Sequence, residues 1–226
     1  RASYVVSPSS NSQWAYKKYF QNESPLLNET GCYIQEHPII DKSKKEYLDV
    51  LWVGKFDFRK QLGIALRSIT ETKNPHIKLH IVGGGNSLSY QALAKELGIE
   101  SQCKWYGAIP HGEVQRVMQE SDVFFFTSVA EGTPHVVLEA IGNNLPVICF
   151  NTCGQGDSVN EKIGRKIELS TPKISIQDFA KILNTLESNR HLLKEMAENC
   201  QERQQELSWD KKVLQMVELY KRALQQ

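Results

Sequence analysis

Short apolar runs alternate with helical segments through the middle of the chain, and this alternation limits the folds that the chain can adopt. Apolar residues dominate residues 47–53, 77–82, 103–107, 123–126 and 145–150. Helical spacing of apolar residues follows four of these runs, at residues 63–72, 89–97, 113–120 and 134–142. Strands that alternate with helices of this length form parallel sheets. The sequence therefore predicts an α/β fold, a Rossmann-like parallel sheet with helices on both faces, over residues 46–170.

The C-terminal part of the chain has a helical character. No long β-rich run remains after Asn160, and apolar periodicity predicts three C-terminal helices. Ser175 and Ser208 are candidate N-caps of two of them. The predicted helices cover residues 175–186, 189–206 and 209–224.

The first 46 residues are more irregular. Residues 4–6 predict a short strand, a helix follows, and residues 21–46 are a polar connector. No basic groove accompanies the aromatic side chains of that helix, so we expect them to pack in the core or at a domain interface, not to stack on nucleic-acid bases. These aromatic residues are Trp14, Tyr16, Tyr19 and Phe20.

Composition excludes several classes of partner. The net charge of +1 gives no electrostatic reason to expect nucleic acid or an anionic membrane as a partner. No apolar run approaches the roughly 20 residues that a membrane helix needs. The five cysteines are odd in number and scattered, which is typical of reduced thiols in a cytosolic protein. The chain opens without methionine or a signal-peptide pattern, so we expect it to be a piece of a longer protein.

A polar turn follows the fourth apolar run. It lies at the carboxyl end of a predicted strand, where open α/β sheets bind ligands. Thr133 is a favourable N-cap and Pro134 suits the first helical position, so we expect a helix from Pro134 to about Gly142. The free N–H groups of its first turn, with Gly132 just outside, form an anion site.

Two carboxylates stand at the ends of this anion site. Glu131 precedes the helix, and Glu139 follows eight residues later on nearly the same face. Carboxylates that flank an anion site suit a ligand with phosphates in the middle and hydroxyl groups at both ends. A nucleotide sugar is such a ligand.

Basic residues follow the first strand of the α/β body. Lys55, Arg59 and Lys60 lie at the same edge of the sheet as the anion site, where cations can neutralise a diphosphate. His135 lies in the first helical turn and either meets a phosphate or is exposed. We expect His111 to be an exposed loop residue near a helix start.

A run of three glycines closes the second predicted strand. The dinucleotide fingerprint would need a glycine at Leu88, and the sequence has no P-loop. Gly83, Gly84 and Gly85 therefore form either a plain turn or a loop that lets a ligand approach the backbone. No cluster of His, Cys, Asp and Glu has the spacing of a metal site.

Taken together, these segments resemble the donor-binding half of retaining glycosyltransferases with the GT-B fold, family four (glycosyl transferases group 1). The centre of the resemblance is an E-x7-E motif from Glu131 to Glu139, with Ser128 three residues before it. The resemblance covers about residues 45–224. Its other segments are Gly54-Lys55 with Lys60, residues 81–85, residues 105–107 with 110–114, and Ser208-Trp209.

The resemblance implies roles for individual residues. Lys55 and Lys60 would hold the donor diphosphate, Glu131 would contact the transferred sugar, and Glu139 would hold the ribose hydroxyls. Glu131 and Lys60 are the expected catalytic residues. Gly83 and Gly84, with residues near Ile109, would border the base. The implied donor-binding residues are Gly54, Lys55, Lys60, Gly83, Gly84, Ile109, Glu131, Gly132, Thr133, Pro134, His135, Val136 and Glu139.

The resemblance also implies partners and a domain organisation. Residues 1–45 would be the end of an N-terminal domain and the hinge, and residues 46–226 the C-terminal half of a GT-B fold. The donor would be a nucleotide-diphosphate sugar, with no metal or other cofactor. A carbohydrate or lipid-linked acceptor would bind through the N-terminal domain, so the fragment alone would be inactive. We expect a cytoplasmic protein, peripheral at the membrane if the other domain binds there.

The sequence departs from the family pattern in the basic loop. Lys55 replaces the usual arginine, which loses a bidentate phosphate contact, and Gln61 replaces a glycine. Two alternatives stay open from the residues alone. One is a sugar-nucleotide epimerase or phosphorylase on the same fold, and the other is a non-catalytic nucleotide-binding module.

Overall fold

A six-stranded parallel sheet forms the centre of the protein. The computed structural model describes residues 4–225. The strand order is β3-β2-β1-β4-β5-β6, and each neighbouring pair is parallel. This is the predicted Rossmann-like α/β fold. The strands are β1 (Leu48–Val53), β2 (Ile77–Val82), β3 (Cys103–Gly107), β4 (Val123–Phe126), β5 (Val147–Phe150) and β6 (Gly164–Ile167).

Helices cover both faces of the sheet. Apolar side chains of α2 and α7 pack on one face, and those of α4 and α5 pack on the other. Short 3-10 turns occur at Phe58–Lys60 and Glu100–Gln102. The helices are α1 (Ser10–Phe20), α2 (Leu62–Thr72), α3 (Leu88–Glu96), α4 (His111–Glu120), α5 (His135–Gly142), α6 (Cys153–Ser158), α7 (Pro172–Ser188), α8 (Arg190–Glu206) and α9 (Trp209–Leu224).

The central strands are apolar because they are buried on both faces. Every residue of β4 and β5 is buried, as expected for strands between two helical layers. The rings of Phe125 and Phe150 each lie 4.9 Å from the ring of Phe179 on α7. These contacts anchor α7 on the strands that precede the polar turn.

The sheet changes direction between β1 and β4. The chain leaves β1 towards the β3 edge and later returns to start β4 on the other side of β1. The loops that follow β1 and β4 therefore diverge at the carboxyl edge. A crevice between diverging loops is the usual ligand site of such a sheet.

Two elements near the end of the sheet are absent from the sequence prediction. Strand β6 follows Asn160, and the alternation missed it because Arg165 and Lys166 are half-buried polar residues on a short edge strand. Helix α6 has only six residues and includes Gly154 and Gly156, which lower helix propensity.

Two predictions about the termini are wrong. Residues 4–6 form no strand; an isolated bridge joins Ser7 to Leu26 instead. Thr171, not Ser175, caps α7, because its side chain accepts a hydrogen bond from the N–H of Ile174 and Pro172 opens the helix. Ser208 does cap α9 as predicted.

The aromatic residues of α1 are not in the core of this chain, and the other expectation, packing at a domain interface, stays a prediction. Trp14, Tyr19 and Phe20 are 58%, 68% and 72% exposed. Helix α1 contacts α6 through polar groups: the N–H of Ser10 donates to Asp157 (2.8 Å), and Asn11 accepts from the N–H of Cys153 (2.7 Å).

Two further findings concern the cysteines, which we expect from the sequence to be reduced, and the apolar length of the helices. All five cysteines are free thiols. Within residues 4–225, no helix is both long enough and apolar enough to span a membrane.

Candidate functional site

The loop after β1 directs Lys60 towards the switch point of the sheet. Asp57 caps the 3-10 turn by accepting a hydrogen bond from the N–H of Lys60 (3.1 Å). The Lys60 ammonium group lies 5.0 Å from the centroid of the Phe126 ring, at the end of β4. Lys55 and Arg59 are more exposed than Lys60. The loop therefore brings one half-buried cation over the carboxyl edge of the sheet.

The loops after β1 and β4 are tied together by hydrogen bonds. The hydroxyl of Thr127 accepts from the indole N–H of Trp52 (3.0 Å) and donates to the carbonyl of Lys60 (2.8 Å). The N–H of Val129 donates to the carbonyl of Arg59 (3.1 Å). These bonds fix the relative position of the two loops that carry the candidate charged residues.

Glu131 is the centre of the candidate site. Its side chain is only 9% exposed and forms an ion pair with Lys60. The Ser128 hydroxyl donates to its Oε1 (2.6 Å), and Arg59 Nη1 lies 3.5 Å from its Oε2. The structure thus brings together the carboxylate and two of the three predicted cations. It leaves Lys55 exposed.

The start of α5 differs from the prediction. The helix begins at His135, Pro134 occupies the N-cap position, and no side chain caps the helix. Thr133 is therefore not the N-cap; its hydroxyl is buried without a partner, and its carbonyl accepts from the N–H of His135. The reason is tertiary, because Gly132 and Pro134 pack against the backbone of Gly154 in α6.

The N–H groups on which the anion-site prediction rests are free at this helix start. Within the described part of the chain, the N–H groups of Gly132, Thr133 and Val136 donate to no protein acceptor. Free N–H groups at the start of a helix attract anions. Gly132 and Thr133 directly follow Glu131, so these N–H groups lie next to the residue that forms the ion pair.

Glu139 lies farther along α5, on the side that faces the start of α4. Its side chain is 33% exposed, and His111 Nε2 lies 3.4 Å from its Oε1. His111 is 71% exposed, as expected, although it is the first residue of α4 and not a loop residue. His135 is exposed and lies 3.4 Å from the Thr30 hydroxyl.

The glycine turn lies beside the loop after β1. A Cβ on Gly83 would lie 1.8 Å from the carbonyl oxygen of Gly54, so only glycine fits there. The carbonyl of Gly84 accepts from the N–H of Phe56 (3.0 Å), and the nearest atom to a Cβ on Gly84 would be Ala108 Cβ at 3.7 Å. Ile109 follows as a half-buried residue. The turn therefore supports the basic loop, and Gly84 leaves room along the same edge.

The structure shows that two residues without a predicted role support the Glu131 side chain directly or through a neighbour. Ser128 holds Glu131, and its place three residues earlier in the motif was the available signal. Gln155 is fully buried and donates to the carbonyl of Ser128 (3.1 Å). No sequence pattern pointed to Gln155, because its contact is made across 27 residues.

A second polar cluster lies on the α4 side of the sheet, in a groove of about 530 Å³. His80 lies 2.9 Å from both the Asp49 carboxylate and the Tyr106 hydroxyl, and Lys45 pairs with Asp49. Burial disfavours the charged form of Asp49, but hydrogen bonds from His80 and Lys45 outweigh it and lower its pKa to about 2. These groups satisfy one another, so we assign them a structural role.

The fold and site define the class of protein. Residues 34–205 match the family glycosyl transferases group 1, and the chain belongs to this family. Its fold is that of the C-terminal domain of the GT-B glycosyltransferases. This confirms the resemblance to glycosyl transferases group 1 with the GT-B fold, and retention of configuration stays a prediction.

Particular relatives agree with this assignment. The chain is 34% identical over 139 residues to lipopolysaccharide 1,6-galactosyltransferase of Salmonella typhimurium, over 59% of this chain and 38% of that protein. The apo form of the lipopolysaccharide outer core galactosyltransferase WaaB has a TM-score of 0.81 at 22% identity, over 99% of this chain and 62% of that chain. HepE from Anabaena, solved with UDP-glucose, has a TM-score of 0.77 at 20% identity, over 97% and 64%. At such identities, the structural similarity shows the fold alone.

The chain matches only part of its relatives. It spans less than half the length of the curated proteins that it matches most strongly. The activity of a whole protein therefore does not follow from the family membership of this part.

Proposed function

We propose that this chain binds the nucleotide-diphosphate sugar donor of a glycosyltransferase, which transfers the sugar to an acceptor with retention of anomeric configuration. The observation that carries the proposal is the placement of Lys60 and Glu131 beside the free N–H groups of α5. A cation, a set of N–H donors and a carboxylate meet at one edge. They match the diphosphate and the sugar of such a donor.

The chemistry that these groups supply is stabilisation of the leaving group. Negative charge builds up on the diphosphate as the glycosidic bond breaks. Lys60 and the start of α5 would neutralise that charge, and such preorganised electrostatic groups contribute strongly to catalysis. Glu131 would accept hydrogen bonds from hydroxyl groups of the transferred sugar. Arg59, whose Nη1 lies 3.5 Å from Glu131 Oε2, would limit how far the carboxylate can move.

The other end of the donor would lie between α4 and α5. Glu139 would accept hydrogen bonds from the ribose hydroxyls, with His111 3.4 Å away. Gly84 and Ile109 would border the base. HepE was solved with UDP-glucose, which makes a uridine nucleotide the first donor to test.

The remaining parts of the proposal concern the whole protein. Residues 1–45 would end a preceding domain and form the hinge, and a carbohydrate or lipid-linked acceptor would bind through that domain. This chain alone would bind the donor without transferring sugar. We place the whole protein in the cytoplasm, with contact to a membrane through the acceptor-binding domain.

Calorimetry with the chain and a panel of nucleoside diphosphates tests the proposal. We expect one base to bind more tightly than the others, and Glu139→Gln to weaken that nucleotide and its sugar derivative about tenfold or more, since a hydrogen bond to a charged group is worth about 1.5–3 kcal/mol. Glu113→Gln, an exposed change on α4, is the matched control. Failure of every nucleotide to bind would refute the proposal.

The alternative activities give different products. An epimerase in the full-length context would convert the donor sugar without an acceptor, and a phosphorylase would require orthophosphate. A module that only binds nucleotide catalyses no reaction, so Glu131→Gln would remove no activity. The family match favours glycosyl transfer over these alternatives.

A further inference from the structure

Among residues 4–225, two buried polar atoms beside the Glu131 turn find no hydrogen-bond partner. They are Thr133 Oγ1 and Gln155 Oε1. Leaving a buried polar atom unpaired costs the full desolvation penalty of that atom, so native structures rarely retain one without a reason. Here the two atoms belong to adjacent segments and differ in character: a hydroxyl can donate, whereas an amide oxygen can only accept.

Gln155 is already connected to the carboxylate of the candidate site. Its side chain is fully buried, and its Nε2 donates to the carbonyl of Ser128 (3.1 Å). The hydroxyl of Ser128 in turn donates to Glu131 Oε1 (2.6 Å). A change at Gln155 is therefore transmitted to Glu131 through a single intervening residue.

Gly154 brings α6 into contact with the turn that holds Thr133. A Cβ at Gly154 would lie 2.3 Å from the carbonyl oxygen of Gly132 and 2.7 Å from Cδ of Pro134. Thr133 lies between these two residues in the chain, and Gln155 follows Gly154. The turn and the start of α6 are therefore in direct contact, and Thr133 and Gln155 are the chain neighbours of the residues that make this contact.

The helix start in the same region is also incomplete. Pro134 occupies the N-cap position of α5 without a side-chain hydrogen bond, and the N–H of Val136 has no protein acceptor among the described residues. An anion that accepts hydrogen bonds from these N–H groups would add an attractive interaction with the backbone around residues 132–134. A bound diphosphate would therefore accept the hydrogen bonds that the N–H groups of this turn leave unmade.

We infer that Thr133 and Gln155 are positioning residues, joined by a hydrogen bond that forms when a nucleoside diphosphate binds. In the bound state the Thr133 hydroxyl donates to Gln155 Oε1. The new bond fixes Gln155, and through Ser128 it fixes the orientation of Glu131 towards the sugar. This inference rests on the proposed function, because the diphosphate must occupy the start of α5.

A double-mutant cycle with the full chain tests the inference. Thr133→Val removes the hydroxyl at constant shape, and Gln155→Met removes the amide at similar size. The dissociation constant for UDP, or for the tightest-binding nucleoside diphosphate of the panel, is measured for all four proteins by calorimetry. We expect each single change to weaken binding about fivefold or more and the double change to weaken it no further. Urea denaturation without nucleotide should show additive effects on stability.

Control variants separate this bond from general effects of burial. Ser175 in α7 carries another buried hydroxyl without a partner, remote in the chain from the turn. Thr133→Val and Ser175→Ala should therefore act additively on nucleotide binding. If Gln155→Met does not fold, Gln155→Glu keeps an acceptor, and in that background Thr133→Val should still weaken binding.

Three outcomes would overturn the inference. Additive effects of Thr133→Val and Gln155→Met on binding would mean that no bond joins them in the bound state. If the two changes are equally non-additive in their effects on stability without nucleotide, the bond does not depend on the ligand. Failure of the unaltered chain to bind any nucleoside diphosphate would instead refute the proposed function, and the inference with it.

Discussion

Lys60 and Glu131 form an ion pair across the point where the sheet changes direction, with side chains only 14% and 9% exposed. The proposed donor needs both groups: the cation for the diphosphate and the carboxylate for the sugar. Without ligand, each group partly neutralises the other. Nucleotide binding at this edge must therefore compete with, or share, an existing interaction.

The first prediction concerns this competition. Glu131→Gln removes the negative charge and releases Lys60, so a bare nucleoside diphosphate should bind more tightly, about three- to tenfold or roughly 0.7–1.4 kcal/mol. The nucleotide sugar should gain less, because it loses its sugar contact. Calorimetry measures both, with Glu71→Gln, an exposed change on α2, as the control. Weaker binding of the bare nucleotide would mean that Glu131 contacts the nucleotide itself.

The second prediction concerns stability. Lys60→Met leaves the Glu131 carboxylate buried with only Ser128 and Arg59 as partners, so the free energy of unfolding should fall by about 1–3 kcal/mol. The double variant with Glu131→Gln should recover much of that loss, because no buried charge remains. Urea denaturation measures the difference. Equal stability of Lys60→Met and the unaltered chain would show that the pair contributes nothing.

The third prediction compares two adjacent glycines. Gly83→Ala should destabilise the protein by at least about 2 kcal/mol, because its Cβ would meet the Gly54 carbonyl oxygen at 1.8 Å. Gly84→Ala should leave thermal stability nearly unchanged, because the nearest neighbour lies at 3.7 Å. If the base lies along Gly84, the second variant should still bind nucleotide more weakly. Similar melting temperatures for both variants would contradict the close approach at Gly83.

The fourth prediction concerns pH. The pKa of Asp49 is about 2, below its ordinary value of 3.8. A lowered pKa contributes stability above the unfolded-state value, and that contribution disappears as the pH falls from about 4 to about 2. The stability difference between the unaltered chain and Asp49→Asn should therefore be constant between pH 5 and 6 and shrink below pH 4. Urea denaturation at each pH tests this, and a constant difference down to pH 2 would contradict it.

The fifth prediction concerns metal ions. Lysine and helix N–H groups bind the diphosphate in our proposal, and within residues 4–225 no three His, Cys, Asp or Glu side chains are placed to hold a metal ion. We expect the affinity for a nucleoside diphosphate to stay within about twofold when EDTA replaces Mg²⁺ or Mn²⁺, a change of roughly 0.4 kcal/mol. A large loss of affinity with EDTA would indicate a metal-dependent donor site.

The sequence predicts those parts of the fold in which burial requires apolar residues. Strands β4 and β5 are apolar at every position because helices cover both of their faces, and their alternation with helices identified the architecture. Strand β6 lies at an edge, where Arg165 and Lys166 reach solvent, so no apolar run marks it. Helix α6 is short and glycine-containing because Gly154 must approach another backbone closely.

The sequence predicts that the candidate site residues share one edge of the sheet, but it does not predict which contacts they make with one another. Sequence order places Lys60 and Glu131 after two strands of one parallel sheet, which predicts a shared edge, but only the structure shows that these two strands are neighbours. Sequence order does not predict that they pair with each other before any ligand binds. The N-cap prediction for Thr133 failed because local propensity does not include the packing of residues 132–134 on α6.

The pairing of Lys60 with Glu131 also bears on the order of folding. The two residues are 71 positions apart, and between them the chain forms β2, β3 and the helices that cover them. Contacts over such separations form slowly because much of the chain must first be ordered. During synthesis, the basic loop emerges well before its carboxylate, so the site can exist only after β4 has paired with β1. Protection of the Val129 N–H, which bonds to the carbonyl of Arg59, would therefore report the pairing of β4 with β1.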